Sequence, residues 1–129
     1  MASLPQHEFR DNYTSMRDLR WSPAEKAIAR KAFEKALQRE FEAAIQETKQ
    51  TAAKLEEPAD LWELERYLTS CRREIDQRYD HRYSVLPEVF GYLLRKGRLR
   101  EEELHGLRED KLEYIRLYAK PLASLRVEG

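Results

Sequence analysis

The chain has 129 residues, a length that suits one domain. Charged residues make up 37% of it and balance to a formal net charge of zero, whereas glycine and proline number only four and five. This composition is typical of long, solvated helices, and it argues against a protein that works by coating nucleic acid, for which a strong basic excess is expected.

The apolar residues and the single cysteine predict a cytoplasmic protein. No stretch approaches the roughly 20 apolar residues of a membrane span, and residues 1–20 lack the apolar core of a secretory signal. Cys71 has no second cysteine to pair with, so we expect a small buried hydrophobic residue in a reducing compartment.

A long first helix is predicted after a flexible arm of residues 1–20. Ser22 is a good N-cap, Pro23 suits the first helical position, and Glu25 completes a capping box. No glycine or proline then interrupts the helical pattern until Pro58. Apolar residues recur at helical spacing along one stripe, at Ile28, Phe33, Leu37, Phe41 and Ile45.

The length of this helix predicts a dimer. About 33 residues at 1.5 Å each give about 50 Å, whereas a compact chain of this size is roughly 36 Å across. The stripe therefore projects beyond its own domain, and a second copy packed antiparallel about a two-fold axis would cover it. The alternative is a helix that breaks or frays near residues 47–51.

A second helix follows the connector at residues 56–60. Asp60 is predicted to cap it, with Glu63 at the capping-box position, and it runs to about Arg78 or Tyr79. Its apolar stripe includes Leu61, Leu64 and Leu68. The two helices predict an antiparallel stem at about 22–79.

The remaining pattern predicts a small C-terminal head at about 80–120. After a turn at 79–84, Ser84 is expected to cap a third helix that carries Pro87 in its first turn and ends at Gly97. A short helix near 100–105 and a last helix near 108–119 follow, and residues 121–129 form a tail. No segment is typical of a strand, so the expected fold class is all-α: one helical domain at 21–120 with a long stem and a small head, dimeric.

Trp62 lies off the apolar stripe of the second helix. At 100° per residue it falls on a polar face with Arg66 and Arg73, flanked by Glu65 and Arg72. Either a flanking helix covers the indole as ordinary core, or Trp62 anchors a protein-binding patch. Tryptophan and arginine are enriched in binding hot spots, which favours the second interpretation.

Other chemistries have weaker support. Asp76, Asp80 and His81 could suggest a metal site, but Arg78 and Arg82 offer ion-pair partners, so a salt-bridged helix end is expected instead. No phosphate loop or nucleophile motif appears, and we expect neither an enzyme nor a cofactor. The basic run at 95–100 is followed by acidic residues, so nucleic-acid binding is not expected.

From Trp21 onward the chain resembles the fluorescence recovery protein family of cyanobacteria. The resemblance spans about a hundred residues and is carried by "DLWELERYLTSCRREIDQRYDHRYSV", "FGYLLRKG", "EEL" and "DK". It implies an all-helical homodimer, or a higher oligomer, without a cofactor. Such a protein would bind the photoactivated orange carotenoid protein, largely through its C-terminal domain, and accelerate its return to the orange, non-quenching form.

The resemblance also implies a set of partner-binding residues. Trp62, Arg72 and Asp60 match the functional surface of the family, and Phe90 and Tyr114 are the head residues of interest. Where the family typically has His and Asp, this chain has Glu65 and Arg66, and Glu88 and Tyr114 replace an aromatic residue and a lysine. These departures fit a divergent member. The alternative is therefore a helical dimer in a bacterium without phycobilisomes, which binds a different protein or serves as a structural scaffold.

Overall fold

The computed structural model describes residues 16–120, and over that range the chain is all-α, as predicted. Its elements are α1 (Pro23–Ala53), α2 (Pro58–Arg78), α3 (Leu86–Lys96), a 3-10 helix (Glu101–Leu104) and α4 (Glu109–Ala119). We call α1 and α2 the stem and residues 80–120 the head. Residues 1–15 of the expected arm and the expected tail at 121–129 lie outside the described residues.

The first helix forms as its sequence predicts. The Ser22 hydroxyl accepts the Glu25 N–H, and a Glu25 carboxylate oxygen accepts the Ser22 N–H, both at 3.1 Å. Pro23 occupies the first turn, and α1 continues for 31 residues without a break near 47–51. At 1.5 Å per residue it is about 46 Å long.

Two helix starts differ from the prediction. Helix α2 begins at Pro58, so Asp60 is its third residue rather than its cap, because proline has no N–H to satisfy and suits the first position. Helix α3 begins after Val85 rather than Ser84, with Pro87 in its first turn. There the turn before the helix already provides carbonyl acceptors: Val85 N–H donates to Arg82 O at 3.1 Å, so no side-chain cap is needed.

The end of α3 agrees with the prediction. Gly97 has a φ of 82°, the left-handed conformation that ends helices. The Arg98 N–H donates to Leu93 O at 2.9 Å and the Gly97 N–H donates to Leu94 O at 3.1 Å. Helix α4 follows one residue later than expected and packs closely on α3. A Cβ at Gly91 would lie 2.8 Å from the Ile115 carbonyl oxygen, so this contact requires glycine.

The hydrophobic core joins the head to the first half of α1. Ala29, Ala32 and Ala36 recur on one face of α1 and are almost fully buried. They pack with the apolar residues of the head, which include Leu86, Val89, Phe90, Leu93, Leu99, Leu104, Leu107 and Ile115. Because alanine is small, the head helices can approach α1 closely.

The other half of the stem has no core of its own. No residue from Phe41 to Val85 is buried, so α2 and the second half of α1 form a projecting hairpin. A row of aromatic rings fastens the connector after α2 to α1. Phe33 packs edge-on against Tyr79 and His81, with ring centroids 5.6 and 4.7 Å apart.

A buried ion pair fixes the base of α1 to α4. Lys111 Nζ lies 3.1 Å from a Glu25 carboxylate oxygen, and their side chains are 1% and 2% exposed. The ammonium group also donates to the carbonyl of Arg20 and lies 5.6 Å from the Trp21 ring centroid. Burial alone would raise the pKa of Glu25, but hydrogen bonds from the Arg108 and Ser22 N–H groups and from Lys111 lower it. The Glu25 carboxylate therefore stays ionised.

A second ion pair fixes the 3-10 helix to the middle of α1. Arg39 donates two parallel hydrogen bonds of 2.7 Å to the Glu103 carboxylate, which is 13% exposed. The hydrogen bond from Arg39 lowers the pKa of Glu103 from 4.5 to about 2, against the opposing effect of burial.

Substitution of Lys111 should be strongly destabilising. Lys111→Met leaves the Glu25 carboxylate buried without its partner, so we expect the free energy of unfolding to fall by about 3 kcal/mol in urea denaturation. Lys35→Met is the control, because Lys35 is half exposed in its contact with Glu103; it should cost less than about 1 kcal/mol. Equal costs for the two variants would contradict a special role for the buried pair.

Acid should remove the contribution of Glu103 to stability. Because folding depresses its pKa, ionised Glu103 stabilises the fold fully above pH 4.5, and this stabilisation is lost as pH falls from 4.5 towards 2. The difference in unfolding free energy between wild type and Glu103→Gln should therefore be constant near neutral pH and shrink below pH 4.5. Glu88→Gln, at an exposed position, should show no such trend; a difference for Glu103→Gln that is flat down to pH 2 would be inconsistent with the depressed pKa.

Candidate protein-docking surface on the second helix

Most side chains of helix α2 are exposed to solvent, and hydrogen bonds fix the backbone of its first turn. The Asp60 carboxylate accepts the N–H groups of Glu57 and Glu56, both at 3.0 Å, and these hydrogen bonds lower its pKa. Asp60 thus fixes the first turn of the helix, two residues before Trp62. A partner contact by Asp60 stays a prediction.

Trp62 does not belong to the core of the single chain. It is 57% exposed. The half-buried residues Leu64, Cys71 and Ile75 lie about 140–180° around the helix from it, so the indole projects away from α1. Cys71, expected to be buried, is only half-buried.

Four charged residues predicted to surround Trp62 are all exposed. Arg66 and Arg73 lie within about 40° of it around the helix, Glu65 about 60° to one side and Arg72 about 80°. None of the four forms an ion pair with another residue of the described range 16–120. By contrast, Arg39, Lys96 and Lys111 are bound to carboxylates of the fold. The surface is therefore an indole in a row with two uncommitted guanidinium groups, with Arg72 at its edge.

The apolar stripe of the stem is only partly covered in the single chain. Ile28, Phe33, Leu37 and Leu64 are half-buried. Farther from the head, Phe41, Ile45, Leu61 and Leu68 are 43–52% exposed. The stripe is exposed where α1 extends past the head.

The head residues of interest have different surroundings. Phe90 is fully buried at the centre of the core and offers no surface to a partner. Tyr114 is half-buried in α4. Glu88 is exposed at the rim of a shallow cleft of about 200 Å³, which Arg78, Arg82 and Tyr92 also line. Leu117, which no sequence pattern singled out, is 59% exposed on α4.

The carboxylates at the end of α2 are not arranged as a metal site. Arg82 binds the Asp80 carboxylate at 2.6 Å, and His81 packs against Phe33. Among residues 16–120, no group of three potential ligands is placed to hold a metal ion. In the same range, no helix is long and apolar enough to cross a membrane.

Comparison with known proteins gives consistent matches over this helical region. A family model described as photoprotection regulator fluorescence recovery protein matches residues 21–119. The fluorescence recovery protein of Synechocystis sp. is 39% identical over 100 residues, which cover 78% of this chain and 92% of that protein.

Solved structures agree with the sequence matches. The fluorescence recovery protein of Fremyella diplosiphon aligns with a TM-score of 0.74 at 42% identity, covering 78% of this chain and 98% of that one. The Synechocystis structure aligns with the same TM-score and coverage at 39% identity. Because sequence and fold match together from Trp21 to Ala119, the chain belongs to the fluorescence recovery protein family of photoprotection regulators.

Proposed function

We propose that this protein is a non-enzymatic cytoplasmic regulator that binds photoactivated orange carotenoid protein and accelerates its return to the orange, non-quenching state. The observation that carries the proposal is the exposed Trp62 in a row with Arg66 and Arg73, on a helix none of whose residues is buried. An aromatic anchor beside uncommitted arginines has the composition of a binding hot spot. Family membership supports photoprotection as its context.

The proposed mechanism requires two contacts. A ligand shifts a conformational equilibrium only through its different affinities for the two states, and it hastens closure only if it binds the closing transition state better than the open state. We assign one domain of the carotenoid protein to the Trp62 surface and the other to the head. No bond is made or broken, so no catalytic side chain or cofactor is needed.

We further propose that the protein binds its partner as a homodimer. The half-exposed stripe at Phe41, Ile45, Leu61 and Leu68 lies where α1 extends past the head, and a second copy packed antiparallel would cover it. Burial of these four side chains would remove apolar surface from water and stiffen the hairpin that presents Trp62.

A different protein partner is the second candidate. Arg66 is exposed and has no ion pair within residues 16–120, at a position where the family resemblance leads one to expect a carboxylate. Reversal of a charge beside the anchor changes which partner surface is complementary. A structural scaffold, in contrast, would not use Trp62 at all.

Dark reversion of a purified, photoactivated orange carotenoid protein tests the proposed function. Wild type should accelerate reversion, and Trp62→Ala should raise the concentration needed for half-maximal acceleration about 30-fold, corresponding to loss of about 2 kcal/mol from a hot spot. Arg66→Ala should weaken binding in the same direction. Arg30→Ala is the matched control, an exposed arginine on α1, and should behave as wild type.

The outcomes separate the candidates. Full activity of Trp62→Ala would remove Trp62 from the site. A wild type with no effect on the carotenoid protein would overturn this partner and leave the second candidate. Binding that is insensitive to every substitution around Trp62 would favour the scaffold.

Light scattering tests the dimer. Wild type should have twice the mass of the 15.4 kDa chain. Ile45→Glu places a charge on the half-exposed stripe and should shift the protein to the monomer, whereas Gln46→Glu adds the same charge at an exposed position off the stripe and should not. A monomeric wild type at all concentrations would contradict the dimer.

A further inference from the structure

The attachment of α2 to the head is narrow. No residue of α2 is buried in the core of the head, and α2 packs on α1 only through half-buried side chains such as Leu64, Cys71 and Ile75. Its hydrogen bonds to the head converge on Glu74, near its C-terminal end. The angle between α2 and the head therefore depends, together with the packing of α2 on α1, on a small polar cluster.

We call this cluster, formed by Glu74, Tyr92 and Lys96, the α2–α3 joint. The Tyr92 hydroxyl donates to Glu74 Oε1 at 2.5 Å, and Lys96 Nζ lies 3.1 Å from the same oxygen. Lys96 also binds Glu40 Oε2 of α1 at 3.0 Å, so its ammonium group ties all three helices together. The Arg78 guanidinium lies 4.5 Å from the Tyr92 ring centroid and adds a second contact between α2 and α3.

The charges of the joint are retained near neutral pH. Hydrogen bonds from Tyr92 and Lys96 lower the pKa of Glu74. Burial alone would lower the pKa of Lys96, but its hydrogen bonds to the carboxylates of Glu40 and Glu74 raise it. The joint is therefore a charge-assisted network that depends on direction, unlike apolar packing, which tolerates sliding.

Small changes at the joint have large effects at Trp62. Twelve residues of continuous helix separate Glu74 from Trp62, which is a lever of about 18 Å. A tilt of about 20° at Glu74 would displace Trp62 by roughly 6 Å relative to the head. A regulator that must hold two domains in one arrangement loses its effect with far smaller misplacements, of about 1 Å.

We propose that the α2–α3 joint fixes the angle between the Trp62 surface and the head, and that this angle, rather than the affinity of the surface, determines how fast a bound partner is closed. Glu74, Tyr92 and Lys96 are then positioning residues. The link between this angle and the rate of closure rests on the proposed function, whereas the role of the joint in fixing the angle does not.

The angle can be measured without any partner. Spin labels at the exposed positions Ser70 in α2 and Glu113 in α4, in a Cys71→Ser background, report the distance between α2 and the head. Labelled chains are diluted with unlabelled chains so that only distances within a chain are recorded. We expect one narrow distribution for the wild-type joint. In Tyr92→Phe/Lys96→Met, which keeps the aromatic ring for Arg78, it should broaden by several ångström.

Arg116→Gln is the control for the distance measurement, because it removes ion pairs with Glu109 and Glu101 that lie entirely within the head. It should leave the distribution narrow. A distance distribution as narrow in Tyr92→Phe/Lys96→Met as in wild type would overturn the proposal that the joint fixes the angle. Circular dichroism of the double variant should show unchanged helix content; loss of helix throughout would also overturn a purely positioning role.

Reversion kinetics test the coupling between this angle and the rate at which a bound partner is closed. With photoactivated orange carotenoid protein, Tyr92→Phe/Lys96→Met should bind within about twofold of wild type, while the maximal acceleration at saturation falls about fivefold or more. Trp62→Ala should have the opposite effect, weakening binding more than it lowers the maximal acceleration at saturation. Equal maximal rates in wild type and in the double variant would overturn the coupling. A wild type that does not accelerate reversion would overturn the proposed function and the coupling with it, and the distance measurement would still decide the angle.

Discussion

Burial of the alanine face of α1 under the head sets the arrangement of the other helices. Ala29, Ala32 and Ala36 lie on one side of the helix, and their small side chains are buried against the apolar core of the head, whose 3-10 helix approaches α1 most closely. Since the head covers only that half, the rest of α1 and all of α2 project as a hairpin. The exposure of Trp62 and of the stem stripe follows from this one-sided packing.

Charged residues take two separate roles in this chain. Where helices meet near the head, Glu25 with Lys111 and Arg39 with Glu103 form partly or fully buried pairs that fix one element to another. On the outer face of α2, charges remain unpaired within residues 16–120 and surround an exposed indole. Buried pairs need both partners, because an isolated buried charge is costly, whereas uncommitted exposed charges are available for recognition. The formal net charge of zero does not distinguish these two groups of charged residues.

Rules for helix capping predicted the structure correctly where residues close in sequence alone provide the hydrogen bonds that the backbone needs. The capping box at Ser22 and Glu25 and the left-handed Gly97 formed as predicted, because each involves groups within a few positions of one another. The caps assigned to Asp60 and Ser84 were wrong, because a proline or a preceding turn offered the backbone an equally local alternative. The burial of Glu25, Glu40 and Lys111 was not foreseen, since Lys96 lies 56 positions from Glu40 and Lys111 lies 86 positions from Glu25 in sequence.

Helix periodicity and capping are properties of short stretches, so the all-α class, the two long helices, their order and the placement of Trp62 off the apolar stripe could all be predicted from the sequence. Which parts of those stripes are covered depends on the folded arrangement of the helices. That arrangement placed Phe90 in the core, left Phe41 and Ile45 half-exposed, and joined α2 to the head through Glu74, Tyr92 and Lys96. Periodicity defines a face of a helix but not the neighbour that covers it, and that neighbour is set by how far the head extends along α1.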